Sequence, residues 1–378
     1  MSWKTSVDAS LEPRNDSMRV AVLGLGNAGY ELHVPAVSGI AGVQAIGVDP
    51  DASRRERVAK QFKIPVAESL EAACAAGAVD AVIVATPPAS HVALCLEALA
   101  RGAHVICEKP FAPSVTDAQR IIDAAKTAGR QVALNHEFRE MSIFRAVRDQ
   151  IGRPDVGSLV FVQAWQNMDL PPWKEPGWRG GLLTGTLYEA GLHLTDYVIA
   201  LFGEKPVAVS ATMSTCGVRE DESDAVALVT MEFSRGRLGQ IVQNRLCPGE
   251  TQYFEVRADA QKASLRASFG GRARISAGLY RSTKPHVRFE LGASGMAWRE
   301  NGHARTPLAT NPKMPAMMAT RTMIEKSLAS FRDGSAPPAT AEDGRDALEV
   351  LAACYIAARE GRRVAVDGSP ALTSYRFG

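Results

Sequence analysis

At 378 residues the chain is longer than one hydrophobic core usually supports, so two domains are expected. Hydrophobic residues make up 46% and charged residues 22%, and 43 Lys and Arg stand against 41 Asp and Glu with no dense basic run; this excludes a nucleic-acid or acidic-membrane surface as partner and leaves a small molecule. No apolar stretch approaches the roughly eighteen residues that span a bilayer, the six cysteines are scattered without a CxxC pair as reduced thiols would be, and the polar opening "MSWKTSVDASLEPRNDS" lacks the apolar segment of a signal peptide, so residues 1–17 read as a loose tail and the protein as cytoplasmic.

Regular patterning begins at Met18. "MRVAVLGLG" and "VQAIGVD" are short apolar runs ending in special residues, as buried parallel strands do, and "PDASRRERVAKQF" opens a helix with Pro50 and Asp51. "VDAVIVATPP" is the next strand, followed by Ser90 as the expected N-cap of a helix that Gly102 closes. "HVICEKP", the helix around "TDAQRIIDAAKTAGR" and the strand "QVALN" complete an alternation that predicts a doubly wound parallel sheet over residues 18–137. From residue 138 to 378 the texture changes. "SLVFVQAW", "PVAVSATM", "AVALVTMEF", "LGQIVQN" and "QYFEVRA" are successive runs with short turns, which predicts an open, mostly antiparallel sheet. Helices are expected from Leu187 to about Phe202 and over "EDGRDALEVLAACYIAARE", and "LPPWKEPGWRGG" (Leu170–Gly181) is a loop of the kind that carries ligand contacts.

"GLGNAG" (Gly24–Gly29) matches GxGxxG between a strand and a helix. Gly24 permits the tight turn, Gly26 admits a pyrophosphate to the backbone, and Gly29 lets the helix pack closely, with the amides of Asn27 and Ala28 at its start. Asp49 ends the second strand, where an acid accepts from the ribose hydroxyls of NAD and opposes the 2′-phosphate of NADP. Arg54, on the following helix, could instead reach that phosphate, so NAD is expected and NADP is the alternative. Ligand in such a sheet lies beyond the carboxyl ends of the strands, which adds Thr86, Pro87 and His91 after the third apolar strand and Glu108, Lys109 and Pro110 after the next to the cofactor set.

A core strand ending in Glu108-Lys109-Pro110 has a bland explanation, a surface salt bridge, and a chemical one, a cation that holds a substrate hydroxyl beside the cofactor. The helix "YEAGLHLTDYVIALFG" offers a partner. Glu189, His193 and Asp196 stand at i, i+4 and i+7 and share a polar stripe, while Leu194, Tyr197, Val198 and Leu201 form an apolar one. The stripe reads as a satisfied structural histidine with its acid, or as catalytic machinery; no metal is expected, because no third and fourth ligand at recognisable spacing accompanies it. His33, His91, His104, His136, His286 and His303 read as structural, His91 standing also in the cofactor set and His136 adjoining the site region.

The ordered set GxGxxG, "EKP" and "GLHLTD" resembles the glucose-fructose oxidoreductase, inositol dehydrogenase and MocA-like family, over nearly the whole chain and together with "NHEFR" (Asn135–Arg139), "WRGG" (Trp178–Gly181) and the closing helix. The resemblance implies a Rossmann domain, a second α/β domain with a large open sheet, a nicotinamide cofactor, a sugar, cyclitol or related polyol as substrate, and a homodimer or homotetramer. Lys109 and His193 match the family's two catalytic positions, and Glu189 stands where members commonly carry Asp. On this reading His193 takes a hydroxyl proton during oxidation, Glu189 orients or polarises His193, and Asn135, Trp178 and Arg179 hold other hydroxyls. Transient oxidation with no net redox change, and a nucleotide-binding regulator without catalysis, are the alternatives.

Overall fold

The computed structural model describes residues 17–377 apart from 172–173, 176, 183, 219–223, 250–251, 270–271, 279–285, 293–294 and 303, so nearly all of the expected N-terminal tail and His303 lie outside the described residues. Six strands, β1 (Met18–Leu23), β2 (Val43–Val48), β3 (Val66–Ala67), β4 (Ala81–Val84), β5 (His104–Cys107) and β6 (Val132–Leu134), form a sheet in the order β3-β2-β1-β4-β5-β6, every pairing parallel. Their apolar runs are continuous because both faces are covered. Val20, Val22, Ile83 and Ile106 pack with α1 (Val34–Ser38) and α2 (Ala52–Phe62) on one side. Ala21, Leu23, Val82, Val84 and Val105 pack on the other with α3 (Leu70–Ala75), α4 (His91–Ala100) and α5 (Val115–Ala128). From β1 the chain builds outward through β2 and β3, then returns to β4 and builds the opposite way. The carboxyl ends of β1 and β4 therefore flank the crevice where such sheets bind ligand.

Local chemistry explains the boundaries. Asp51 caps α2, its carboxylate accepting from the amides of Ser53 at 2.8 Å and Arg54 at 3.3 Å. Ser90 does not cap α4. A 3₁₀ turn, Pro88–Ser90, precedes that helix, and the Ser90 hydroxyl donates instead to Thr86 Oγ1 at 2.7 Å.

The second sheet has nine strands in the order β16-β15-β12-β11-β7-β10-β9-β8-β17. They are β7 (Leu159–Asn167), β8 (Ala208–Ser214), β9 (Val226–Glu232), β10 (Leu238–Asn244), β11 (Gln252–Ala260), β12 (Ser264–Phe269), β15 (Met296–Asn301), β16 (Ala304–Thr310) and β17 (Val364–Ala365); β13 (Arg272–Gly278) and β14 (His286–Gly292) pair separately. All contacts in the large sheet are antiparallel except β7 with β10. The helices α6 (Ser142–Arg148), α7 (Leu192–Phe202) and α9 (Ala341–Glu360) bury its inner face, sharing one core with Leu159, Val162, Val229 and Val256. One further helix, α8 (Pro315–Asp333), returns to the first sheet, where Ile324, Leu328 and Phe331 complete the side begun by α1 and α2. Burial of Ile324 and Leu328 contributes roughly 1.5–3 kcal/mol each, so the two halves of the chain are fastened together by this crossing. Among the described residues no helix is long and apolar enough to cross a membrane.

Candidate active site at the strand ends

The glycine turn carries its function in its steric detail. Gly24 has φ +90°, and a Cβ there would stand 2.8 Å from the Ala85 carbonyl oxygen; a Cβ on Gly29 would lie 1.9 Å from the Gly24 oxygen. Both glycines are demanded by backbone packing. Gly26 differs, since a Cβ there would meet nothing closer than Arg54 Nη1 at 3.9 Å. That open space beside a helix starting at Asn27 fits the pyrophosphate of a dinucleotide, which needs bare backbone and amide donors. At the end of β2 the buried Asp49 carboxylate accepts from the amides of Leu25 at 2.8 Å and Asp51 at 2.9 Å, and Arg54 stands 3.5 Å away. Each oxygen keeps a lone pair for a ribose hydroxyl.

His91 closes this end of the sheet from behind. It is fully buried, with Nδ1 2.9 Å from the Pro110 oxygen and Nε2 2.8 Å from the Thr86 oxygen, so both ring nitrogens are engaged by protein carbonyls and none is left for a cofactor. Its role is to brace the ends of β4 and β5 against each other, which corrects its place in the expected cofactor set.

Glu108 and Lys109 diverge from the end of β5. The Glu108 carboxylate turns inward, where Oε1 lies 2.6 Å from His33 Nε2 and accepts from Asn135 Nδ2 at 2.8 Å. Burial would raise its pKa, but His33 and Asn135 outweigh that and bring it down to about 2. Asn135 is completely buried; its Nδ2 donates to Glu108 and Thr320, while Oδ1 has no hydrogen-bond partner among the described residues. Lys109 turns the other way, across a cis peptide to Pro110, and its ammonium donates to the Glu189 carbonyl at 3.0 Å and to Glu189 Oε1 at 3.1 Å. Burial alone would push the ammonium down, but Glu189, Glu137 and Glu108 outweigh it and keep Lys109 cationic.

The expected pairing of Glu189 with His193 is not formed. The chain from Gly185 to Ala190 is a π turn, closed by Gly191 N–H donating to the Thr186 oxygen at 2.8 Å, and α7 starts only after it. A π turn carries more residues than an α turn, so side chains four apart no longer stand over one another. Its start is pinned by Asp224, whose carboxylate accepts from the amides of Thr186 and Leu187, both at 2.9 Å. Glu189 is thereby rotated onto Lys109 and onto Arg179 Nε at 2.9 Å; burial would raise its carboxyl, but Lys109 and Arg179 outweigh that and bring it down to about 2. Arg179 in turn rests over the Trp178 ring, so the predicted loop residues do arrive at the site.

His193 stands on α7 against the Phe138 ring, 4.5 Å between centroids, and its Nδ1 is buried without a partner among the described residues. Burial first, then the positive charge of Lys109, hold its pKa well below the usual histidine value, the reverse of what an adjacent carboxylate would do. Asp196, the third member of the stripe, is a structural tie: it accepts from Arg139 Nε at 2.9 Å and Nη2 at 2.6 Å, and Arg139 Nη1 reaches Asp343 on α9 at 3.0 Å.

This layout can be compared with known proteins. Residues 18–136 match the family model described as "Oxidoreductase family, NAD-binding Rossmann fold", and residues 144–264 match that of the GFO/IDH/MocA C-terminal domain. The chain belongs to the GFO/IDH/MocA oxidoreductase family. It is similar to a scyllo-inositol 2-dehydrogenase (NADP(+)) of Bacillus subtilis, 25% identical over 93% of this chain and 97% of that one. It is also similar to the rhizopine catabolism protein MocA of Rhizobium meliloti, 30% identical over 63% of this chain and 75% of that one. The solved aldose-aldose oxidoreductase of Caulobacter crescentus shares the fold, with a TM-score of 0.75 at 22% identity over 92% of this chain and 99% of that one. As a GFO/IDH/MocA protein the chain is an NAD(P)-dependent oxidoreductase of the dehydrogenase type.

Three residues of this site escape a reading of the sequence. Glu137, in the turn after β6, places Oε1 3.9 Å from His193 Nε2. Tyr253, on β11, keeps 38% of its surface open and lies within electrostatic reach of Lys109, Glu137 and Glu189. Arg245 is nearly sealed from solvent and holds Glu175 of the Leu170–Gly181 loop. Only Glu137 leaves a local trace, as an acid beside Phe138 directly after an apolar strand.

Proposed function

We propose that the protein transfers a hydride between NAD and a secondary alcohol or carbonyl of a sugar, cyclitol or related polyol, with residues 18–137 holding the cofactor and 138–378 the substrate and the contacts of a homodimer or homotetramer. The observation that carries this reading is the pairing, at the strand ends next to the glycine turn, of a lysine kept cationic by carboxylates with a buried histidine kept neutral. Gly24, Gly26 and Gly29 with the amides of Asn27 and Ala28 would hold the pyrophosphate, Asp49 the ribose, and Thr86, Pro87 and Pro110 the wall of the nicotinamide pocket. When bound, the nicotinamide supplies a hydride acceptor or donor. Lys109 donates to the substrate oxygen and stabilises the alkoxide character that develops as the carbinol loses hydride. His193, neutral, has a ring nitrogen free to take the hydroxyl proton. Glu189 fixes the direction of the Lys109 ammonium, and Trp178 and Arg179 border the remaining hydroxyls. The names of the inositol and aldose relatives support a polyhydroxylated substrate.

A panel of cyclitols, aldoses and sugar acids, read by the absorbance of reduced nicotinamide, tests this directly: at least one polyol should reduce the cofactor, and none doing so in either direction would refute the reading. NAD is assigned over NADP because the buried Asp49 charge opposes a 2′-phosphate, although Arg54 beside it and the NADP(+) in the name of the Bacillus relative point the other way. Asp49→Ser should therefore raise the NADP-to-NAD ratio of kcat/KM by about tenfold or more, since juxtaposed like charges cost more than the roughly 1.4 kcal/mol this represents. An unchanged ratio would place the ribose elsewhere.

A further inference from the structure

Glu137 is 8% exposed; its Oε1 lies 3.9 Å from His193 Nε2, and its Oε2 is buried without a hydrogen-bond partner among the described residues. An unpaired oxygen in a dry site is costly, and it shows that this carboxyl group is not held by a full set of structural hydrogen bonds. The groups facing it are Glu108 and Lys109 from the end of β5, His193 and Asp196 from α7, and Tyr253 from β11. On the side of α8, Lys326 reaches Glu140 and not Glu137. Lys109 is hydrogen-bonded to Glu189, and among the described residues no lysine or arginine forms an ion pair with Glu137. Burial and the charge of Glu108 push its carboxyl up to about 8 against the pull of Lys109, while His193 is pushed down. A proton on the imidazole is therefore less stable than one on the neighbouring carboxylate.

We propose that Glu137 is the proton carrier behind His193, receiving from Nε2 the proton that the substrate hydroxyl gives up. This rests on the dehydrogenase reading above. In oxidation the substrate O–H bond breaks and an N–H bond forms at His193 Nε2; that bond then breaks as Oε1 of the Glu137 carboxylate takes the proton. The carbinol carbon loses its hydrogen with both bonding electrons to the nicotinamide dinucleotide, and the carbonyl forms. Reduction reverses each step, with neutral Glu137 as proton source.

Because the carrier must be ionised to accept, oxidation rises as pH climbs through the Glu137 titration, and reduction falls. Glu137→Gln keeps the shape and cannot carry the proton: both pH limbs should disappear and kcat should drop by about tenfold or more, with KM little changed. Glu137→Asp should restore the limbs, which a merely structural role would not require. A second readout needs no turnover. In the infrared difference between wild type and Glu137→Gln without cofactor, the band of a neutral carboxyl group should vanish as pH rises through about 8. Absence of that titrating band, or unchanged pH limbs in Glu137→Gln, would overturn the proposal. A wild type that oxidises no polyol yet shows the band would refute the substrate reading and leave Glu137 as a buried acid.

Discussion

Lys109→Met is expected to lower kcat by about 10²–10³-fold while leaving the affinity for the cofactor within about twofold, the scale of losing one preorganised donor at a developing oxyanion. Methionine keeps the unbranched stem that reaches from the end of β5 to the π turn and removes only the ammonium. Glu189 does not become an unpaired charge, because Arg179 still donates to it at 2.9 Å. The fold should therefore persist, and the loss should fall on the chemical step. Fluorescence titration of reduced nicotinamide measures the affinity, and steady-state rates on the polyol found in the panel measure the turnover. Near-normal turnover in Lys109→Met would remove the lysine from the reaction, whereas a large loss of cofactor affinity would move it to the dinucleotide site.

The second large effect concerns His193. Asparagine approximates the size of the imidazole and can donate a hydrogen bond, but it has no nitrogen that accepts a proton. His193→Asn should lower kcat by about 10²–10⁴-fold, the range of general acid–base assistance. The pH dependence separates this from simple loss of packing against Phe138. Since burial and Lys109 hold the imidazole well below its usual pKa, His193 is already neutral throughout the neutral range, and wild-type oxidation should show no acidic limb near the ordinary histidine value. A limb there that vanished in His193→Asn would mean that the imidazole titrates at its ordinary value and is not held neutral by its surroundings.

The parts of this site that could be read from sequence are those carried by short-range rules. Continuous apolar runs alternating with helices gave the parallel sheet, because a strand covered on both faces has no polar side to show. Gly24, Gly26 and Gly29 are legible because the turn after β1 is local backbone geometry, and Asp49 because an acid ends the apolar run of β2. Lys109 stands out as a charge at the end of a buried strand. The failures have physical causes as well. The i, i+4 rule presumes an α-helix, and the π turn at Gly185–Ala190, pinned by Asp224 across 37 and 38 residues, rotates Glu189 off His193 and onto Lys109. His33 meets Glu108 across 75 residues, and His91 and Asn135 are occupied by strand ends that only the assembled sheet brings together. The helix α8 was hidden by Thr320, Ser327 and Ser330 on its buried stripe, which dilute the apolar period that would otherwise announce it.

In the proposed reaction hydride moves directly between a substrate carbon beside Lys109 and His193 and a nicotinamide. The most direct measurement uses a polyol from the active panel carrying deuterium on each carbinol carbon, incubated with the protein and NAD, with the reduced cofactor and the product analysed by mass spectrometry and NMR. The expected result is one deuterium per turnover on one face of the nicotinamide ring, a ketone or aldehyde product lacking that deuterium, and no transfer with Lys109→Met or His193→Asn on the same timescale. Net conversion of the polyol with the deuterium returned to the product and no accumulated reduced cofactor would contradict the account.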